Sequence, residues 1–180
     1  AVVVDGHWRM LSGDELGVLL GEDALRRGAR GTYACSIVSS SLLAAIASAY
    51  RQPFVYTLTG FKWIGRVPGL VYGYEEAIGY CTDPRAVPDK DGISALARLL
   101  RLAASLKADG GSISDRLDEI ACRYGVYETD QMSLRVKHVE IIAEAMARLR
   151  ASPPTMLAGQ STSIVDLAQG SDAPLPDLPR

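Results

Sequence analysis

Charged residues stand beside glycines at three places where a packed α/β layer has no need of them. Thr59-Gly60-Phe61-Lys62-Trp63 sets a cation between two large aromatics, after a glycine that lets backbone come close to a ligand. Gly73-Tyr74-Glu75-Glu76-Ala77-Ile78-Gly79 sets two adjacent carboxylates between glycines. A carboxylate accepts paired hydrogen bonds from neighbouring hydroxyls, which is the chemistry of polyol recognition. Adjacent side chains on an extended stretch point opposite ways, so at most one of Glu75 and Glu76 faces a given ligand. Asp89-Lys90-Asp91-Gly92 opens a helical pattern. The aspartates suit a helix N-terminus, whereas the dipole repels Lys90 there by roughly 0.3–1 kcal/mol if it is exposed. Anionic company for Lys90, from Glu75 or from a bound phosphorylated ligand, offsets that mismatch; so do the flanking aspartates.

Each cluster also has a plain structural reading. Phe61 and Trp63 serve as core while Lys62 snorkels outward. Glu75 and Glu76 form a solvated turn. Asp89 caps a helix. The residue types alone leave both readings open.

The surrounding pattern shows what positions these groups. Residues 1–4 are an apolar β-branched run that reads as the tail of a strand, with a turn at Asp5-Gly6-His7. Ser12 with Glu15 is a capping box, and Leu16, Leu19, Leu20 and Ala24 follow at helical spacing. Strands are expected over 32–38, 54–58 and 70–72, alternating with helices that begin after Ser39-Ser40-Ser41 and at residues 59–64. Asp89 is expected to cap a long helix over 92–108, with Ile93, Leu96, Leu99, Leu100 and Ala103 on its buried face. Ser114 opens another helix that Gly125 closes. Residues 126–134 read as extended and 136–149, with His138 inside, as helix. Residues 164–167 could begin a small element, and the proline-rich tail reads as a linker. Alternating strands and helices argue for an α/β fold, a layered mixed sheet with helices packed on it. Ligands in such sheets bind in the connections beyond the strand ends, where these clusters fall.

Composition narrows the function classes. The chain has 180 residues, 48% of them hydrophobic, and a net charge of −2 with both signs interspersed. That carries one good core and gives no basic footprint for nucleic acid. No apolar run approaches the roughly 20 residues that span a bilayer. Cys35, Cys81 and Cys122 are widely spaced and odd in number, which reads as reduced, mostly buried thiols in a cytoplasmic protein. There is no G-x-G-x-x-G, Walker loop, H-E-x-x-H or G-x-S-x-G, and Ser39-Ser40-Ser41 reads as caps rather than a nucleophile.

In their order and spacing the three clusters resemble domain 3 of the α-D-phosphohexomutase superfamily, the phosphomannomutase and phosphoglucomutase type. Residues 59–64 resemble its segment before the sugar loop. Residues 73–79 resemble the sugar loop itself, usually G-G-E-[EM]-S-G, and residues 89–92 resemble the segment opening the next helix. Residues 8–19 are similar to the passage from domain 2 into domain 3. The resemblance covers about residues 1–125. It implies a four-domain enzyme that moves a phosphoryl group between O1 and O6 of a hexose through a bisphosphorylated intermediate. It further implies that Glu75 holds sugar hydroxyls and that Gly60, Lys62, Glu76 and Lys90 line the substrate site. Lys90 falls where the family often has a lysine proposed for proton transfer. The resemblance also implies Mg²⁺, with ligands in another domain and none in this chain. Ala77 replaces the loop serine and Tyr74 the second glycine, as in phosphopentomutase-like members, so mannose, glucose and pentose phosphates all stay open.

The domain reading that follows is a domain 2 tail over 1–11, the sugar-binding domain over 12–125, a trailing strand and helix over 126–152, and a linker over 153–180. No D-P-D-x-D-R metal loop, phosphoserine loop or R-x-S-G-T phosphate loop occurs, so the chain alone is expected to be inactive. Its expected partners are a phosphosugar and the remaining domains of its own polypeptide. The alternative is a stand-alone α/β phosphosugar-binding or interaction module.

Overall fold

A computed structural model of the chain describes residues 2–4, 7–130, 133, 135–164 and 166. They divide into one compact unit running through Thr129 and a second beginning at Asp130. In the first, β1 (Val2–Val4) pairs antiparallel with β2 (His7–Arg9). Then come α1 (Gly13–Arg26), β3 (Thr32–Ser36), α2 (Leu42–Ala49), β4 (Phe54–Thr57), α3 (Phe61–Ile64), β5 (Leu70–Glu75), β6 (Gly79–Cys81), α4 (Gly92–Ala108) and α5 (Ile113–Tyr124). The main sheet has the order β4-β3-β5-β6, with β3 parallel to β4 and β5, and β6 antiparallel to β5. This is the layered mixed α/β sheet expected from the alternation of strands and helices. Parallel neighbours need crossovers, which the segments carrying α2 and α3 supply.

Alternation along β3 sends Tyr33 and Cys35 into the larger core and Ala34 into a smaller one beneath α3. The larger core includes Leu19, Leu25, Leu43 and Ile46. Each such side chain contributes about 1.5–3 kcal/mol by leaving water. The smaller core joins Phe61, Ile64 and Cys81.

α1 seats itself on β5 through a stripe of small residues. Gly13, Gly17 and Gly21 recur every fourth position, one helix face. A Cβ on Gly17 would fall 2.3 Å from the Tyr74 ring, and one on Gly21 would fall 2.9 Å from Tyr72. The tyrosine hydroxyls then donate into the helix: Tyr72 to the Gly17 carbonyl at 2.7 Å and Tyr80 to the Gly13 carbonyl at 3.1 Å. Tyr74 donates to Asp14 Oδ1 at 2.7 Å. Burial foremost holds the Tyr74 phenol far above its ordinary pKa, so it stays a donor.

Several local expectations need correction. The capping box at α1 is present, Ser12 Oγ accepting from the Glu15 amide and Glu15 from the Ser12 amide. At α4, however, Asp91 is the cap, accepting from Ile93 and Ser94 amides, while Asp89 turns to Lys90. The buried face of α4 is Ala95, Leu102 and Leu106, flanked by Leu99 and Ala103. Ile93, Leu96 and Leu100 are exposed, Ile93 at 83%. The apolar arc covers about half the helix, and the core uses only one side of it. Ser112, not Ser114, caps α5. Ser41 stands at the start of α2 without a side-chain cap bond. β2 and β6 were not anticipated; each is three residues long, too short to show a period. Residues 126–130 form no strand, and Gln131, Met132 and Leu134 lie outside the described residues.

The second unit holds α6 (Glu140–Ala151) and a hairpin of β7 (Met156–Leu157) with β8 (Gln160–Ser161). His138 precedes α6 rather than lying in it, and no residue of α6 is buried. The hairpin falls within the stretch expected to be a linker. Its turn places Ala158 and Gly159 at φ 48° and 77°. Val165 and Leu167 of the small element expected at 164–167 lie outside the described residues, as does the rest of the tail.

Glu22 is a buried carboxylate of α1, with Arg26 Nη1 at 3.6 Å from it. Burial raises its pKa above the ordinary 4.5, and Arg26 and Arg116 pull the other way. A carboxyl with a raised native pKa binds its proton more tightly folded than unfolded. Its ionisation therefore lowers stability as pH rises from about 4.5 through the native value. Glu22→Gln is expected to gain stability relative to the wild type across that rise and to lose none below it. Urea midpoints at pH 4 and pH 7 check this, and an equal difference at both would refute it.

Candidate functional site

The C-terminal ends of β4 and β5 place the first two sequence clusters side by side. Gly60 stands at the start of α3 with φ 117°, a conformation open to glycine. Its amide donates to Glu75 Oε1 at 2.7 Å. Glu75 is the last residue of β5 and only 8% exposed. Across the hairpin it pairs with Gly79. A Cβ on Gly79 would fall 2.7 Å from the Phe61 ring, 3.3 Å from Glu75 Oε2 and 3.4 Å from Lys90 Cδ. Phe61, Glu75 and Lys90, distant in sequence, therefore meet over one glycine.

Lys90 arrives there because its loop is tied down. The Asp91 amide donates to the Tyr80 carbonyl at 2.9 Å. A Cβ on Gly65 would collide with the Pro88 carbonyl oxygen at 2.1 Å, so that glycine admits the loop against α3. Lys90 Nζ then sits 5.1 Å from the centre of the Phe61 ring and 3.4 Å from Asp89 Oδ1. Its backbone amide also donates to Asp89, whose carboxyl pKa this bond and the ammonium lower. The lysine stays largely exposed, with Phe61 beneath it as a cation–π platform. Lys62 runs back over Gly60 and brings Nζ to 5.4 Å from the Trp63 ring centre. Phe61 is buried and Lys62 exposed, but Trp63 is only partly covered and joins neither core, so one aromatic of the segment serves as core rather than both. Lys62 thus lies against Gly60 and Trp63, and the structure records no contact between it and Glu75.

Glu76 goes elsewhere, as adjacent residues on a strand must. Its Oε2 accepts from Ser36 Oγ at 2.9 Å and Ser39 Oγ at 3.0 Å. Its own amide donates to Ser39 Oγ at 3.1 Å. The carboxylate pins the loop after β5 to the end of β3. Ser36 and Ser39 are thus loop anchors; only Ser40 behaves as a cap, accepting from the Leu42 amide at 3.3 Å. Sequence reasoning missed these two serines, because nothing local links positions 40 apart. It also missed Gly13: a Cβ there would lie 1.7 Å from the Glu76 carbonyl oxygen, so α1 supports the loop from below. Its signal, a glycine every fourth residue, was readable. Between the anchors, Ile78 holds φ 62° with its side chain 74% exposed. A β-branched residue in the left-handed region is strained, and such strain concentrates at loops with a function.

The chemistry available is therefore a buried carboxylate beside a closely packed glycine, one ammonium on an aromatic base, and a second ammonium on the segment that starts at Gly60. That set can hold hydroxyls and neutralise a phosphate. Cys35 and Cys81 are buried away from such work, burial lifting the Cys81 thiol to about 11. Cys122 is exposed, so the thiols are mostly buried, as expected. Among the described residues no cluster of three or more His, Cys, Asp or Glu could hold a metal ion. No described helix is long and apolar enough to cross a membrane.

The chain is similar to known proteins. A family described as phosphoglucomutase/phosphomannomutase, α/β/α domain III, matches residues 12–124. A probable phosphomannomutase of Haemophilus influenzae is 45% identical over 156 residues, covering 86% of this chain and 32% of that protein. The human phosphopentomutase is 35% identical, covering 96% of this chain and 32% of that one. A solved putative phosphomannomutase of Thermus thermophilus overlays 64% of this chain with a TM-score of 0.58 at 24% identity, a likeness of fold. The chain spans about a third of the length of the curated relatives it matches.

Proposed function

Because the chain belongs to the phosphoglucomutase/phosphomannomutase family through its α/β/α domain III, we propose that it is the sugar-binding domain of a phosphohexomutase. The enzyme interconverts hexose 1-phosphate and hexose 6-phosphate, of mannose or glucose, through a bisphosphorylated intermediate. What supports this most is the meeting of Glu75, Lys90 and the Gly60 amide around Gly79. Glu75 orients the sugar by accepting from its hydroxyls, with the Gly60 amide fixing its carboxylate. Lys90 neutralises phosphate charge and stands where it can carry a proton to or from a sugar oxygen. Lys62 adds a second cation at the rim. Glu76, proposed as a substrate contact on resemblance alone, serves better as the loop's anchor to Ser36 and Ser39. Mg²⁺ would supply further charge neutralisation; among the described residues no cluster fits it, and the resemblance puts its ligands in another domain.

The test is steady-state kinetics of the full-length enzyme. Lys90→Met is expected to lower kcat/KM by about 100-fold with hexose phosphates. Glu75→Gln keeps an oxygen for the Gly60 amide but loses charge, and about a 10-fold rise in KM is expected. The 180-residue chain by itself is expected to show no turnover. Values within two- or three-fold of wild type for both variants would sink the assignment. Running mannose, glucose and pentose phosphates side by side reads out the sugar.

A further inference from the structure

At the opposite end of the sheet from Glu75, a cavity of about 420 Å³ opens where β5 begins and β6 ends. Arg27, Arg30, Arg85 and Arg98 line it, with Asp83 as the carboxylate and Thr82 on the wall. Arg27 is engaged, its Nε donating to Asp23 at 2.7 Å. Arg30, Arg85 and Arg98 form no salt bridge among the described residues. They come from three different elements: the turn after α1, the loop after β6, and the middle of α4. Arg27 at the end of α1 has a local use, since cations complement a helix C-terminus. Arg85 and Arg98 have no such helix end to serve. Guanidinium groups gathered on one recess repel one another until an anion joins them.

We infer that this arginine-lined recess is a second binding site, distinct from the sugar-loop site, for a small phosphorylated molecule. The planar guanidinium matches phosphate oxygens with paired hydrogen bonds. The cavity falls within the roughly 300–1,000 Å³ of small-molecule sites. A nucleic acid or other long polyanion would need a broad basic face, and the chain as a whole carries −2. The recess lies at the N-terminal ends of the parallel strands, so a ligand there cannot share the contacts of Glu75 or Lys90. The inference is independent of the phosphohexomutase reading.

Inorganic pyrophosphate is the probe. Titrated into the 180-residue chain and followed by calorimetry and by arginine Nε–H resonances, it is expected to bind saturably and to shift the signals of Arg30, Arg85 and Arg98. Arg85→Ala and Arg98→Ala are each expected to weaken binding about 10-fold. Arg98→Lys, which keeps charge but loses the paired geometry, should weaken it by less, and it carries the comparison if Arg98→Ala unfolds. Lys62→Ala and Lys90→Ala should leave this binding event unchanged. The inference is overturned if pyrophosphate does not saturate at millimolar concentration. It is equally overturned if binding falls only in the lysine variants, or if only the Gly60 and Gly79 amides move.

Discussion

Gly13→Ala is expected to lower the stability of the first unit by about 3 kcal/mol or more, among the largest losses from adding one methyl group. The added carbon would stand 1.7 Å from the Glu76 carbonyl oxygen and 3.1 Å from its Cα. Both atoms belong to backbone that cannot rotate away. That backbone is held by the β5–β6 pairing on one side and by the Ser39 bond on the other. Relief requires α1 to lift from β5, which would strip Tyr72, Tyr74 and Tyr80 of their acceptors in the helix. Gly92→Ala is the control: it is also the first residue of a helix, with nothing within 4 Å of the new Cβ. That change should be neutral or stabilise by up to about 1 kcal/mol. Urea unfolding of the two variants checks the contrast, and similar midpoints would show that α1 does not sit flush on the loop. Because Gly13 supports the loop that carries Glu75, the same variant in the full-length enzyme should lose sugar affinity before it unfolds.

Asp14→Ala is expected to cost a further comparable amount, about 3 kcal/mol, by a different route. The buried carboxylate accepts from the Ser40 amide at 2.8 Å, the Tyr74 hydroxyl at 2.7 Å and the Thr129 hydroxyl at 2.6 Å. Those donors come from the β3–α2 loop, from β5 and from the end of the unit, so one side chain ties three segments together. Removing it leaves a buried amide without an acceptor and the buried phenol with only the Ser40 carbonyl at 3.4 Å, which costs more than the bonds themselves were worth. Tyr74→Phe added to Asp14→Ala removes one stranded donor. The double variant should therefore be less destabilised than the sum of the two single ones by about 1 kcal/mol. Additive losses would show that Tyr74 and Asp14 are not coupled. Asp14→Asn, which keeps one acceptor oxygen, should fall between wild type and alanine.

Both effects were largely hidden from a reading of the chain. Asp14 reads as an ordinary acidic residue in the first turn of a helix, which it also is. Its three partners lie 26, 60 and 115 residues away. Tyr74, which stands where the family's sugar loop has glycine, is fully buried and belongs to the core. Alternation on β5 explains this, since Tyr72 and Tyr74 share one face while Glu75 takes the other.

What the amino-acid order decided by itself was local and periodic. The span of α4 at 92–108, the capping box at Ser12, the stop at Gly125 and the opposed directions of Glu75 and Glu76 all follow from propensity, caps and period. The three polar clusters were likewise legible, because charged residues beside glycines are unneeded by a core, although the second lies in the β5–β6 hairpin rather than in the strand-to-helix connection its pattern suggested. Tertiary structure alone decided where those side chains end. It joined Lys90 to Phe61 and Glu75, sent Glu76 to Ser36 and Ser39, and turned Ile93, Leu96 and Leu100 away from the core their spacing suggested. The physical reason is that periodicity reports which face of an element is apolar. Which part of that face gets covered depends on how closely the next element approaches, and glycines far along the chain set that distance.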